Sequence, residues 1–160
     1  MLNLKIWRMK MKKILNFVFS PNSSINDLAL LIMRVIPSYY MFFDHGKSKI
    51  LNSSRWEGLG SSLTKYINDS SEPINIFFGF AASFAESICA IFIFFGFLTK
   101  PSSFLLAFTM FVAAMKHVTG TGSPESAFIY FSIYASLLLL GPGKISVDYT
   151  FYGEKKFDEI

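Results

Sequence analysis

The sequence predicts an all-α integral membrane four-helix bundle with short interfacial helices. Three observations carry that prediction. The stretch 73–98 is apolar for long enough to cross a bilayer, which takes about 20 such residues. Three more apolar stretches, near 24–43, 101–117 and 125–140, are separated from it by polar or turn-forming residues. Over 160 residues, a length that suits one domain, 52% are hydrophobic and 18% aromatic, high for a water-soluble fold. The mean hydropathy of +0.41 agrees.

Residues 1–26 read as a basic, amphipathic arm, with basic and apolar residues alternating through Phe19, as in segments held by anionic lipid. A secretory signal is rejected. Its apolar core would be only Ile14 to Phe19, broken by Asn16, and no small-residue cleavage site follows. Ser24-Ile-Asn-Asp27 offers a capping box for the first span, which runs to about Phe43 and is expected to kink at Pro37. On a continuous helix Asp27, Arg34, Ser38, Met41 and His45 share one face.

Between Asp44 and Glu72 the chain is polar, yet Trp56, Leu59, Leu63, Tyr66 and Ile67 recur at helical spacing. A short helix lying at the interface is expected here, with Trp56 and Tyr66 as headgroup anchors. In the second span, Gly79, Ala82, Ser83, Glu86 and Ala90 form a small-residue face opposite Phe77, Phe84, Ile88, Ile91 and Phe95. Small residues let helices approach closely in lipid, so the first face should turn inward. Thr99-Lys100-Pro101 turns the chain, and Pro101 suits the first position of a third helix reaching about His117. Ser123-Pro124-Glu125 starts the fourth, where Glu125 complements the helix dipole. Glu125, Ser132 and Ser136 share a face that could line a polar core, and Gly141-Pro142-Gly143 ends the helix. The tail after residue 148 is short and polar.

Flanking positive charge sets the orientation. Lys5, Arg8, Lys10, Lys12, Lys13, Lys100, Lys144, Lys155 and Lys156 fall on one side, and Lys47, Lys49, Arg55, Lys65 and Lys116 on the other. Both termini are therefore expected in the cytoplasm. The net charge of +4 belongs to these flanks. No basic stripe with base-stacking aromatics exists, so nucleic acid is not an expected partner. The single cysteine, Cys89, precludes an internal disulfide and a Cys-x-x-Cys redox pair, and no metal-ligand spacing is present.

Ionisable groups inside spans are costly and call for partners. Arg34 in the first span is the expected partner of Glu86 in the second, and such a pair can also be only a registration device. His45, Lys49, Lys116, His117 and Glu125 lie near the outer helix ends. Together they outline a polar pocket opening outward, floored by Arg34 and Glu86. Such a site suits a proton relay or a polar headgroup, for instance the carbonyls of a quinone.

Several of these residues resemble the DoxX family. Arg34, His45-Gly-x-x-Lys49, Glu86, Gly96-Phe-Leu-Thr-Lys-Pro101, His117, Glu125 and Gly141-Pro-Gly-Lys-Ile-Ser-Val-Asp148 carry the likeness. It covers residues 27–148, a DoxX-like four-span membrane domain flanked by the arm 1–26 and the tail 149–160. The resemblance implies a bacterial inner-membrane protein. The wider family includes DoxD-like subunits linked to thiosulfate:quinone oxidoreductase and DoxX-type proteins associated with redox partners at the membrane.

The expected function is a redox-associated membrane component whose pocket, lined by Arg34, His45, Lys49, Glu86, His117 and Glu125, takes a quinone. If it is an enzyme, it is a subunit of a quinone-linked oxidoreductase. The alternative is a non-enzymatic scaffold or anchor for a redox or stress-response complex. A small-solute or proton carrier ranks last, because no inverted repeat is visible and four helices leave little room for alternating access without a homo-oligomer. Expected partners are membrane lipid, a redox protein and a second copy of the chain.

Overall fold

The computed structural model describes residues 7, 9–11, 23–67 and 71–156. Most of the predicted basic arm lies outside the described residues. Most of those described are helical, with no strand among them.

Helix α1 runs Ser23–Tyr40 with Pro37 inside it, and continues as a π-helical stretch, Met41–Gly46, and a last turn, Lys47–Ile50. It is longer than the predicted span. Helix α2 spans Trp56–Ile67 and follows a 3₁₀ turn, Ser53–Arg55. Helix α3 begins as Glu72–Phe84 with Pro73 in its first turn, passes through a second π-helical stretch, Ala85–Cys89, and ends as Ala90–Phe95. Helices α4 (Thr99–Val118), α5 (Glu125–Leu140) and α6 (Val147–Lys156) follow. The predicted polar tail is thus helical as far as Lys156. Helices α3 and α4 are each long and apolar enough to cross a membrane, and α5 is a shorter apolar helix.

Helices α1, α3, α4 and α5 share one core, in which Met41, Ile93, Leu106, Met110, Tyr134 and Leu137 are buried. The inward face of α3 is the predicted one: Gly79, Ser83, Glu86 and Ala90 are buried, while Phe77 and Phe95 are exposed. The expected polar face of α5 turns the other way. Ala127, Tyr134 and Leu137 point inward, and Glu125 and Ser132 are exposed. The Ser132 and Ser136 hydroxyls donate to carbonyls of their own helix, at 2.8 and 2.7 Å, and so need no polar core.

Helix α2 corrects the interfacial prediction. It lies antiparallel against α3, with Gly60 on the backbone of Asn75 and Gly79 on the backbone of Trp56. A Cβ at either glycine would run into the facing carbonyl, so only glycine allows this approach. Thr64 Oγ1 donates to Asn75 Oδ1 at 2.5 Å inside the contact. Trp56 packs edge-on against Phe80, with ring centroids 5.0 Å apart, and Tyr66 meets Thr119 at 2.9 Å. Further along α3, Gly46 touches the backbone of Glu86, and Arg34 lies against Gly96. Helices α1 and α2 therefore follow one another along the same side of α3, interrupted at Leu51–Arg55.

The opposite end of the molecule, called lower here, is closed by the segment after α5. Helix α3 stops at Gly96, whose φ of +70° is open to glycine, with Phe97 N donating to Phe92 O at 2.8 Å and Gly96 N to Ile93 O at 3.0 Å. Helix α4 starts two residues before the predicted Pro101. Its cap comes from far away: Asp148 accepts from Leu98 N and Thr99 N, both at 2.8 Å, and donates its own amide to Gly96 O at 2.8 Å.

Candidate ligand site

The expected pair between Arg34 and Glu86 does not form. Glu86, 3% exposed, is paired with Lys49, three residues beyond Gly46. The reason is the glycine. With no side chain at Gly46, the π-helical stretches of α1 and α3 meet backbone to backbone at Glu86, which brings the end of α1 across the carboxylate. The Lys49 carbonyl is held as well, accepting from Trp56 Nε1 at 3.0 Å across the break before α2.

Arg34 is used at the lower end. It is 1% exposed, donates through Nη2 to the Ile145 carbonyl, and lies near enough to Asp148 for their charges to interact. Its room comes from Gly96, where a side chain would collide with Nη1. The residue expected to floor the pocket instead fastens the closing segment to α1.

Above the Lys49–Glu86 pair is a cavity of about 430 Å³ between α2, α3 and α4. Its walls are mostly apolar, with Leu59 and Leu63 from α2, Phe77, Phe78, Ala81 and Ala82 from α3, and Leu105, Phe108 and Val112 from α4, beside Ser62 and Thr109. Lys116 and His117, in the last turn of α4, stand at the other end, with His117 Nδ1 3.3 Å from the Thr121 carbonyl. A mostly apolar cavity with a few polar groups is the usual form of a small-molecule site.

Of the six residues expected to line one pocket, Lys49, Glu86 and His117 do so. Arg34 is at the lower end. His45 is exposed and packs edge-on against Tyr130 of α5, ring centroids 5.9 Å apart, on a different face of the molecule. Glu125 is exposed at the start of α5, where Ser123 Oγ accepts its amide at 3.3 Å. Sequence reasoning missed α2 as a wall. Its Gly60 and the matching Gly79 were the signal, since paired small residues mark close helix contacts.

Residues 29–119, more than half of the chain, match the family model DoxX. The chain belongs to the DoxX family. No curated protein and no solved structure matches it. The matched stretch holds Arg34, His45, Lys49, Glu86 and His117 and stops short of Glu125 and the closing segment. That segment is nevertheless tied to family positions by its own contacts, through Arg34 and through the Asp148 cap on α4. Family membership, with two helices able to cross a bilayer, marks this as a membrane protein.

Proposed function

We propose that this is a multi-pass protein of the bacterial inner membrane, with both termini cytoplasmic, that binds a quinone as a redox-associated component. The observation that carries the reading is the cavity between α2, α3 and α4, apolar along its length and closed at its base by the Lys49–Glu86 pair. In this reading the quinone ring lies among the residues that line the cavity, Phe78 and Phe108 included, and a carbonyl accepts from the Lys49 ammonium at its base. His117 and Lys116 at the other end would face the outer surface.

The test is the affinity of the protein in nanodiscs for a short-chain quinone. Glu86→Gln removes the carboxylate that holds the Lys49 ammonium at the base, so the lysine swings toward solvent and no longer donates to the ring, and Ala82→Phe fills the sleeve without changing any charge. Both are expected to weaken binding by about tenfold or more, as loss of one good contact or of the space does. Unchanged affinity in both variants would overturn the reading.

A second reading, a non-enzymatic anchor for a redox or stress-response complex, has its own support. Asp44, Lys47, Leu51 and Arg55 are all exposed at the break between α1 and α2, level with the middle of α3. Charged groups and irregular backbone are poorly tolerated against lipid tails and are normally covered by protein. A stable protein partner that co-purifies and protects Arg55 would favour the anchor.

A further inference from the structure

A second cavity, of about 800 Å³, opens at the lower end among α1, α4, the loop after α5, and α6. Leu30, Leu98, Pro101, Leu140 and Pro142 give it an apolar wall, and Tyr149 and Tyr152 of α6 form its side. Lys100 and Lys144 flank it. Among the described residues neither ammonium has a carboxylate in ion-pair range. The two carboxylates that also line the cavity are already engaged. Asp148 accepts from Leu98 N and Thr99 N, and Asp27 accepts from Lys144 N at 2.9 Å. Arg34 lies near Asp148, so among the described side chains three cations stand against two carboxylates here. Thr99 adds a fully buried hydroxyl with no hydrogen-bond partner.

The geometry points to this cavity as a binding site for the phosphate group of an anionic phospholipid. The two lysines, which have no acidic partner among the described residues, meet the phosphodiester. The proline and leucine wall meets the first carbons of the acyl chains, and the tyrosines stand where amphipathic rings favour the headgroup level. Basic pockets between helices at the cytoplasmic side of a membrane recognise such headgroups. The site rests on the membrane-spanning reading of the lower end and is independent of what occupies the upper cavity.

The experiment compares retained lipid, by native mass spectrometry, after the full-length protein is reconstituted with an equimolar mixture of phosphatidylglycerol and phosphatidylcholine. The wild type is expected to keep phosphatidylglycerol selectively. Lys100→Gln/Lys144→Gln should lower that preference by roughly 30-fold, because each lysine near the surface is worth about a factor of five. Lys47→Gln/Lys65→Gln, with neither lysine among the residues that line this cavity, should leave it unchanged, and circular dichroism should show all variants equally helical. Equal retention of the two lipids by the wild type, or an unchanged preference in the Lys100/Lys144 variant, would overturn the proposal. Displacement of the lipid by millimolar inorganic phosphate would overturn it too, since the site would then read the free anion.

Discussion

Lys49→Met is expected to cost about 3 kcal/mol of stability, because it strands the Glu86 carboxylate in a buried position. Glu86 has 4% of its side chain exposed, against 19% for Lys49. The lysine has a long stem and can swing its charge toward solvent when its partner is removed. Glu86→Leu is therefore expected to cost less than Lys49→Met. The double variant Lys49→Met/Glu86→Leu should recover most of the loss, since a buried ion pair can often be replaced by apolar residues of similar volume. Unfolding of the four proteins in native-lipid particles gives the cycle directly. Additive losses in the double variant would mean the two groups do not act as a pair.

The second large effect lies in the glycine contacts between α2 and α3. Gly79→Ala should cost about 2–3 kcal/mol, since the new methyl group would meet the Trp56 backbone and no flexible side chain can yield. Gly60→Ala should behave alike against Asn75. Gly58 is the contrast within α2. It is exposed and helical, and a Cβ there meets nothing within 4 Å. Gly58→Ala should raise stability by about 0.5–1 kcal/mol through helix propensity alone. Opposite signs for Gly58 and Gly60, two residues apart, are the expected result of thermal unfolding. Equal effects would mean that α2 does not dock on α3.

The elements with a strong local signal were legible in the sequence. The apolar run of α3 and its small-residue face can be read from side-chain type and period alone, while the helix stops at Gly96, short of the expected Leu98. The Gly141 stop of α5 and the inward turn of Arg34, Ser38 and Met41 were legible for the same reason. The identity of Glu86's partner was not. Each π-helical stretch inserts a residue into the helical repeat and rotates everything beyond it, so a wheel drawn through Met41–Gly46 and Ala85–Cys89 misaligns the two helices. Arg34 was expected beside Glu86, yet it lies at the level of Gly96, further along α3, where it donates to the Ile145 carbonyl. The Asp148 cap was hidden likewise, since no periodicity links it to Thr99. In the candidate site, Lys49, Glu86 and His117 were legible as chemistry, while the apolar sleeve depends on α2 turning back along α3.

The central claim is that the sleeve above Lys49 and Glu86 holds a quinone. Its most direct test is to extract the protein in native lipid and quantify bound quinone by absorbance and mass spectrometry, beside Glu86→Gln. About one quinone per chain in the wild type, lost in the variant, is the result expected here. No quinone in either sample, from a protein shown to be folded, would contradict the claim and leave the anchoring role as the function to pursue.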